Sequence, residues 1–467
     1  MSGGAIQLMA HQKEGVTFLT GRGGGLLAFE QGLGKTFVAL RAFQDVRRAG
    51  GAERLLVICP NSLKRNWTAE IRRFAPEIEA VIVEGTPRER RAQFLSTAAA
   101  AIIVSYETAR AEITAVIALL TRAPTVLVLD ESHAAKNWQS LTSAAARQFA
   151  PYAKHRWLLS GTPVTNSAED LFTQVEILAP GEHRLGSRDS FMLLAQENPA
   201  AARAKTEGLV LRRTKDECLD LPEKTFADVP VELPPWQRKL YDAMRDEAVA
   251  ELKAMSGEEY KARAMTALAK ITRLMQIASN PSLVFPVEET PGKFEALDAL
   301  VFDILSVPGR KVIIWSNYVG TIEVLTRRYA AHGSASLFGG TPVEERQKIA
   351  AEFQGGSATR VLVANPAAAG TGFTLTAASF TIYETLSWRY DFYAQSQDRN
   401  HRIGQTLPVT YFRLIAADTI EEAIAGALER KGTLAADLLG DSGVPASIGS
   451  LSRDEMITLL QKNKLPE

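Results

Sequence analysis

Leu26-Leu27-Ala28-Phe29-Glu30-Gln31-Gly32-Leu33-Gly34-Lys35-Thr36 joins a short apolar run to a glycine-bearing turn and then to a stretch of helical period. An apolar run with no polar face reads as a strand of a parallel sheet covered on both sides. A glycine turn between such a strand and a helix is the context that a phosphate-binding loop requires. Gly32 and Gly34 let backbone N–H groups turn toward phosphates, Lys35 suits the β and γ oxygens, and the Thr36 hydroxyl suits a magnesium ion. The general pattern has a glycine where Phe29 stands, so the loop is a variant form. A turn and helix start without a ligand is the competing reading of these residues taken alone.

Working outward, further apolar runs at 55–60, 80–84, 101–106, 126–131 and 156–161 alternate with helical stretches at 35–48, 63–74 and 89–96. This alternation predicts an α/β lobe with right-handed crossovers. A second series at 312–316, 336–339, 361–365, 380–384 and 410–415 predicts a second lobe. Thr341-Pro342-Val343-Glu344 reads as an N-cap, a proline at the first helical position and a capping-box glutamate. Residues 236–279 are rich in Ala, Lys, Arg, Glu and Met, which predicts a helical insertion. The expected division is lobe one at 1–225, lobe two at 226–435 with a helical protrusion at about 236–285, and a tail or docking helix at 436–467.

The chain has 467 residues, enough for about three units of ~150 residues or two large lobes with appendages. With 46% hydrophobic and 23% charged residues it reads as a folded, soluble chain rather than a disordered one. Lys+Arg 53 balances Asp+Glu 53, so a polyanion would have to be met by local basic patches. Arg72-Arg73 and Arg88-Glu89-Arg90-Arg91 are such patches, or else solvated helix faces. Cys59 and Cys218 form no CxxC and join no Cys/His cluster, which excludes a disulfide framework and a zinc site. No basic leader and no apolar stretch of ~18 residues is visible, so the expectation is an intracellular, reducing compartment and no membrane.

Two more segments carry chemistry. Asp130-Glu131-Ser132-His133 follows a buried strand at the edge where open α/β sheets bind ligands. Asp130 suits magnesium through its water shell, and Glu131 suits the orientation and deprotonation of an attacking water. An N-capping acidic pair is the bland alternative. Near the other end, Gln395-Ser396-Gln397-Asp398-Arg399-Asn400-His401-Arg402-Ile403-Gly404-Gln405 spaces two arginines three apart, predicted to share one helical face. Guanidinium groups so placed suit a γ-phosphate, while a solvated helix is the alternative.

Taken in order, Gln12 in Leu8-Met9-Ala10-His11-Gln12, the Gly32–Thr36 loop, Cys59-Pro60-Asn61-Ser62-Leu63, Ser105-Tyr106-Glu107, Asp130 to His133, Leu159-Ser160-Gly161-Thr162-Pro163, Ser316-Asn317, Gly370-Thr371-Gly372 and Gln395 to Gln405 resemble the Snf-type branch of helicase superfamily two. The resemblance covers nearly the whole chain, and its Asp-Arg-x-His-Arg-Ile-Gly-Gln ending is the most specific element. It implies two RecA-like lobes binding ATP and magnesium between them and moving along double-stranded DNA. Catalytic roles would fall to Lys35, Asp130, Glu131, Arg399 and Arg402. Nucleotide contacts would come from Gln12, Gly32, Gly34, Lys35, Thr36, Gly372 and Gln395, with magnesium at Thr36 and Asp130. Ser160 to Thr162 would link nucleotide state to lobe position. DNA contacts would come from Ser62, Lys64, Arg65, Ser105, Ser316, Asn317, Thr371 and Trp388, groups suited to phosphate oxygens rather than to bases.

The chain departs from the family at Trp388-Arg389-Tyr390, where Trp-Asn-Pro is usual, and at Ser279-Asn280-Pro281, where a Cys or His precedes the proline. Trp388 reads equally as a core residue. No histone-reading module is expected, and protein partners are not legible. The expected location is cytoplasmic, nucleoid-associated or viral, or nuclear in a eukaryote. The alternatives to a duplex translocase are a strand-separating or fork-remodelling helicase, an RNA-stimulated motor, and a binding scaffold that hardly hydrolyses.

Overall fold

The computed structural model describes residues 7–21, 23–164, 168–256, 259, 264–368, 373–439 and 453–462. Two compact units result, the first Met1–Asp220 with Thr433–Val444 and the second Leu221–Gly432 with Pro445–Glu467.

In the first unit seven parallel strands form one sheet: β1 (Gly24–Phe29), β2 (Arg54–Cys59), β3 (Ala80–Ile82), β4 (Ala101–Ser105), β5 (Thr125–Asp130), β6 (His155–Leu159) and β7 (Val210–Arg213). Their order is β3-β4-β2-β5-β6-β1-β7. Side chains alternate between two cores. Leu56, Ile58, Leu127 and Leu129 enter the core on one face, while Leu55, Val57, Val126 and Val128 enter the core on the other. Two covered faces explain why the interior positions of β2 and β5 are apolar throughout. Helices α1 (Ala10–Gly21), α2 (Lys35–Arg48) and α3 (Lys64–Phe74) place Val16 and Leu19, Val38 and Phe43, and Trp67 and Ile71 in that second core.

The second unit holds six parallel strands, β8 (Lys224–Val231), β9 (Val312–Trp315), β10 (Ser334–Leu337), β11 (Val361–Ala364), β12 (Phe380–Tyr383) and β13 (Val409–Ala416), in the order β10-β11-β9-β12-β13-β8. The helices Pro235–Ala254 and Ala264–Ser279 pack on each other between β8 and the rest of the sheet in sequence. The helix Arg453–Lys462 packs on Pro235–Ala254, burying Met456, Leu459 and Leu460, and Arg453 Nη1 donates to the Met255 carbonyl over 2.6 Å.

Local differences from the sequence reading have physical causes. β7 and β8 were not expected. Both are sheet edges, where partial exposure dilutes the apolar signal, and β8 carries Pro230, which an edge tolerates because one side of the strand needs no ladder bond. The expected break after residue 225 falls inside β8, which pairs with β13 along its whole length. The 435/436 break falls inside the helix Ile420–Leu439.

The Thr341 capping box does not form. The helix starts at Val343 with Pro342 at the N-cap, and Thr341 Oγ1 instead accepts from the Phe338 N–H over 3.3 Å. The same Thr-Pro-x-Glu pattern at Thr86 does form one, with Glu89 accepting from the Thr86 N–H at 2.7 Å and Thr86 Oγ1 from the Glu89 N–H at 3.4 Å.

Candidate nucleotide site

The glycine turn lies between β1 and α2 as its sequence requires. Gly32 (φ 90°) and Gly34 (φ 82°, ψ 33°) are both left-handed, a region other residues enter only with strain. Gly34 is also crowded, because a Cβ there would lie 2.6 Å from Gln12 Nε2. No side chain caps α2. Its first turn is therefore left to bind an anion with backbone N–H groups and the positive end of the helix dipole. Phe29 explains the variant loop. It closes β1, its ring is buried against His11 with centroids 5.7 Å apart, and its carbonyl accepts from Lys35 Nζ at 3.0 Å. Nothing bulky is added to the turn itself. His11 Nε2 and Gln12 Nε2 from α1 approach the Leu33 carbonyl at 3.1 and 3.3 Å, which ties α1 to the loop.

β5 ends at Asp130, and Glu131 follows in a left-handed conformation (φ 49°), unusual for a residue with a side chain. Asp130 Oδ2 accepts from Trp67 Nε1 at 2.7 Å, Oδ1 from the Glu131 N–H at 3.0 Å, and the Asp130 carbonyl from the Tyr106 hydroxyl at 2.9 Å. Burial and the neighbouring Glu131 push the Asp130 carboxyl up to about 6, against the opposing pull of the Trp67 donor and the Lys35 charge. Glu131 Oε1 accepts from Gln31 Nε2 at 3.4 Å, so the phosphate loop and the carboxylate pair converge. Glu131 Oε2 lies 3.3 Å from His133 Nδ1, an ion pair only when that ring is protonated, and the same nitrogen is 3.3 Å from Ser160 Oγ. Ser160 Oγ also accepts from the Thr162 N–H at 3.2 Å. Gly161 passes so close that a Cβ there would be 3.0 Å from Gln31 Cγ and 3.4 Å from Lys35 Nζ.

A lysine, a hydroxyl at the head of a helix and two carboxylates at one sheet edge, with a glycine-lined cradle, fit a nucleotide triphosphate and its magnesium. Thr36 and Asp130 are the residues that would meet the metal, Asp130 through water. Burial and the Asp130 charge push the Cys59 thiol up, which disfavours its thiolate.

The first-unit candidates for a polynucleotide divide. Ser62 and Arg65 are exposed, whereas Lys64 is mostly buried and pairs with Glu84 at 3.3 Å. Ser105 is buried and its hydroxyl caps the helix Tyr106–Ala111 by accepting from the Thr108 N–H at 3.2 Å.

Ser316 in the second unit is fully buried, with its hydroxyl donating to Glu384 Oε2 at 2.7 Å. Asn317 is half-buried and donates from Nδ2 to Thr385 Oγ1 at 3.1 Å. Trp388 packs against the second-unit core as a half-buried residue. Thr371 and Gly372 lie outside the described residues.

Gln395 is buried in the helix Tyr390–Gln397. That helix stops there, so Arg399 and Arg402 do not share a helical face as their spacing predicted. They stand in the turns that follow. Arg399 Nε donates to the Gln395 carbonyl at 3.2 Å, and Arg402 Nη1 to the Phe373 carbonyl at 3.4 Å, with burial lowering the Arg402 proton affinity. The turns are pinned from inside. Asn400 donates to Thr381 Oγ1 at 3.0 Å and accepts from the Tyr411 hydroxyl at 2.9 Å, His401 Nε2 reaches the Pro222 carbonyl at 2.9 Å, and Gln405 Nε2 bonds the Asn400 carbonyl at 3.1 Å. Trp67 and Tyr106 were not legible as site residues, because their partner is 63 and 24 positions away.

Two family models match: an SNF2-related domain over residues 11–283 and a helicase conserved C-terminal domain over residues 292–404. The chain belongs to the SNF2-related family. An uncharacterized ATP-dependent helicase of Mycoplasma pneumoniae is 29% identical over 476 residues, covering 97% of this chain and 44% of its own length. The DNA annealing helicase and endonuclease ZRANB3 of Bos taurus is 26% identical over 454 residues, covering 93% of this chain and 40% of its own. The chain thus spans less than half the length of these relatives. A solved SWI2/SNF2 ATPase core of Sulfolobus solfataricus in complex with dsDNA shares 27% identity with a TM-score of 0.45, covering 97% of this chain and 96% of that one. Among the described residues, no helix is long and apolar enough to cross a membrane.

Proposed function

We propose that this SNF2-related chain hydrolyses ATP and uses the cycle to track duplex DNA along its phosphate backbone without parting the strands. The observation that carries the ATPase reading is the convergence of Lys35, Gln31, Gly161, Asp130 and Glu131 at one sheet edge. In this reading Lys35 exchanges the Phe29 carbonyl for phosphate oxygens, and the α2 N–H groups hold the same chain. Asp130 orients the water shell of a magnesium ion, which when bound neutralises charge on the phosphates. Glu131 takes the proton of the attacking water, and His133 and Ser160 relay its position to the segment ending at Thr162. Arg399 and Arg402 act on the charge that develops at the terminal phosphate. Gln12 contacts the base, and Gln395 supports the arginines through the carbonyl that Arg399 holds.

Duplex tracking is supported by the exposed Ser62 and Arg65, a hydroxyl and a cation that suit phosphates and carry no sequence code. Fork remodelling is the second reading, favoured by the annealing-helicase name of a relative aligned over 93% of this chain. Displacement of a triplex-forming third strand separates the two. The expected result is ATP-dependent displacement from an intact duplex with a simple fork left closed. Efficient opening or regression of the fork, with hydrolysis driven equally by single strands or RNA, would overturn duplex tracking. Because backbone binding releases counterions, log affinity should also fall with log salt by ~0.9 per phosphate neutralised.

A further inference from the structure

Helix α3 carries two kinds of residue within one turn. Ser62 just before it and Arg65 and Asn66 at its start are exposed, while Trp67 is wholly buried. The Trp67 indole N–H donates to Asp130 Oδ2 at 2.7 Å, and among the described residues it is the one side-chain donor to that carboxylate. Burial alone does not demand such a bond. Trp157 and Trp315 are equally buried, and neither indole N–H has an acceptor.

We propose that Trp67 is a positioning residue that couples engagement of a duplex at the start of α3 to the Asp130 carboxylate. The inference rests on the duplex-stimulated ATPase reading. Arg65 and Trp67 are separated by a rise of about 3 Å along a stiff helix, so a phosphate drawn to Arg65 and Ser62 moves the indole with the backbone. A hydrogen bond to a charged group weakens steeply as it lengthens or tilts. The Asp130 oxygen released or reoriented by that movement is Oδ2, whereas Oδ1 is held by the Glu131 N–H. DNA binding on the helix surface thus changes the geometry of the group assigned to the magnesium water shell. No contact between DNA and nucleotide is needed.

The test uses the full chain with its six tryptophans labelled with 15N on the indole nitrogen. Loss of one indole N–H signal in Trp67→Phe assigns Trp67, and if that variant does not fold, Trp→Phe changes at the other five positions assign it by elimination. A short duplex added without nucleotide should shift the Trp67 signal and leave those of Trp157 and Trp315 in place. Magnesium with ADP should shift the Trp67 signal as well. In folded Trp67→Phe, duplex stimulation of hydrolysis should fall on the order of tenfold, the worth of one bond to a charged group, with the duplex still bound in the absence of nucleotide. A Trp67 signal that ignores saturating duplex, in wild-type protein whose hydrolysis the duplex does stimulate, overturns the coupling and leaves the functional reading intact. Full stimulation retained in folded Trp67→Phe does the same. Wild-type hydrolysis indifferent to duplex overturns both.

Discussion

The order β3-β4-β2-β5-β6-β1 in the first sheet is repeated position for position by β10-β11-β9-β12-β13-β8 in the second. Each unit places a lysine in the first turn of the helix leading into its central strand, Lys35 before β2 and Lys293 before β9. Each also ends the matching strand on a carboxylate, Asp130 at β5 and Glu384 just after β12. The two pairs are used differently. Lys35 donates to the Phe29 carbonyl, its charge acts on Asp130, and a glycine cradle lies beside it. Lys293, fully buried, donates to the Glu384 carbonyl at 2.6 Å and to Glu421 at 2.7 Å. Glu384 in turn accepts from Ser279 at 2.6 Å and Ser316 at 2.7 Å, and burial raises its proton affinity. One topology therefore gives a site that a ligand can complete and a counterpart whose polar groups complete one another. A lysine and a carboxylate at the right strand ends are not enough. What distinguishes the two is the glycine cradle beside Lys35 and the full enclosure of Lys293 by Glu384 and Glu421.

This contrast can be broken at several points. If the second unit serves hydrolysis through its arginines, Arg402→Ala or Arg399→Ala should cut turnover by about a thousandfold or more with modest loss of ATP affinity. Steady-state rates beside a nucleotide titration check this, and a change under tenfold removes the assignment. Glu131→Gln should lose on the order of a thousandfold in turnover while still binding ATP, since only the proton acceptor is gone. Near-normal turnover would reassign the base.

Lys293→Met should act on stability instead. It leaves Glu421 and Glu384 buried without their cation, a loss of about 3–5 kcal/mol that denaturant unfolding would register. Unchanged stability would mean the second network is not sealed as described. The smallest effect compares the two Thr-Pro-x-Glu starts. Thr86→Ala removes a formed cap and should cost about 1 kcal/mol with fraying of the helix start, whereas Thr341→Ala loses only the bond from the Phe338 N–H and should leave the helix start at Val343 as protected from amide exchange as before. Equal fraying at both helix starts would contradict the difference in capping.

The strands of both units were legible except the edge strands β7 and β8, whereas the buried polar network of the second unit was not. The first lobe's interior strands, the loop from Gly32 to Thr36 and the Asp130-Glu131 pair announce themselves, because apolar runs and glycines at a strand-to-helix junction have few other uses. Ser105 and Ser316 show the limit. A hydroxyl at a strand end satisfies a helix cap or a buried carboxylate as readily as a phosphate, and sequence does not say which acceptor or donor comes near. The helix end at Gln397 was hidden for a related reason. Asn400 and Gln405 hold the following turns by side-chain bonds to strands β12 and β13 and to neighbouring carbonyls, contacts made across the fold. Lys293 gave no signal at all, since Pro291-Gly292-Lys293 has no glycine loop and its partners lie 91 and 128 positions away.

The measurement closest to the central claim is ATP hydrolysis by Lys35→Ala at saturating duplex, run beside wild type and beside a thermal melt of both. Lys35 Nζ donates to the Phe29 carbonyl and its charge acts on Asp130, so its removal should cost about 1.5–3 kcal/mol of stability. The account predicts a folded variant whose duplex-stimulated hydrolysis and ATP binding are both lost. A folded Lys35→Ala that still hydrolyses ATP under duplex stimulation, or one destabilised as much as Lys293→Met is expected to be, would contradict it.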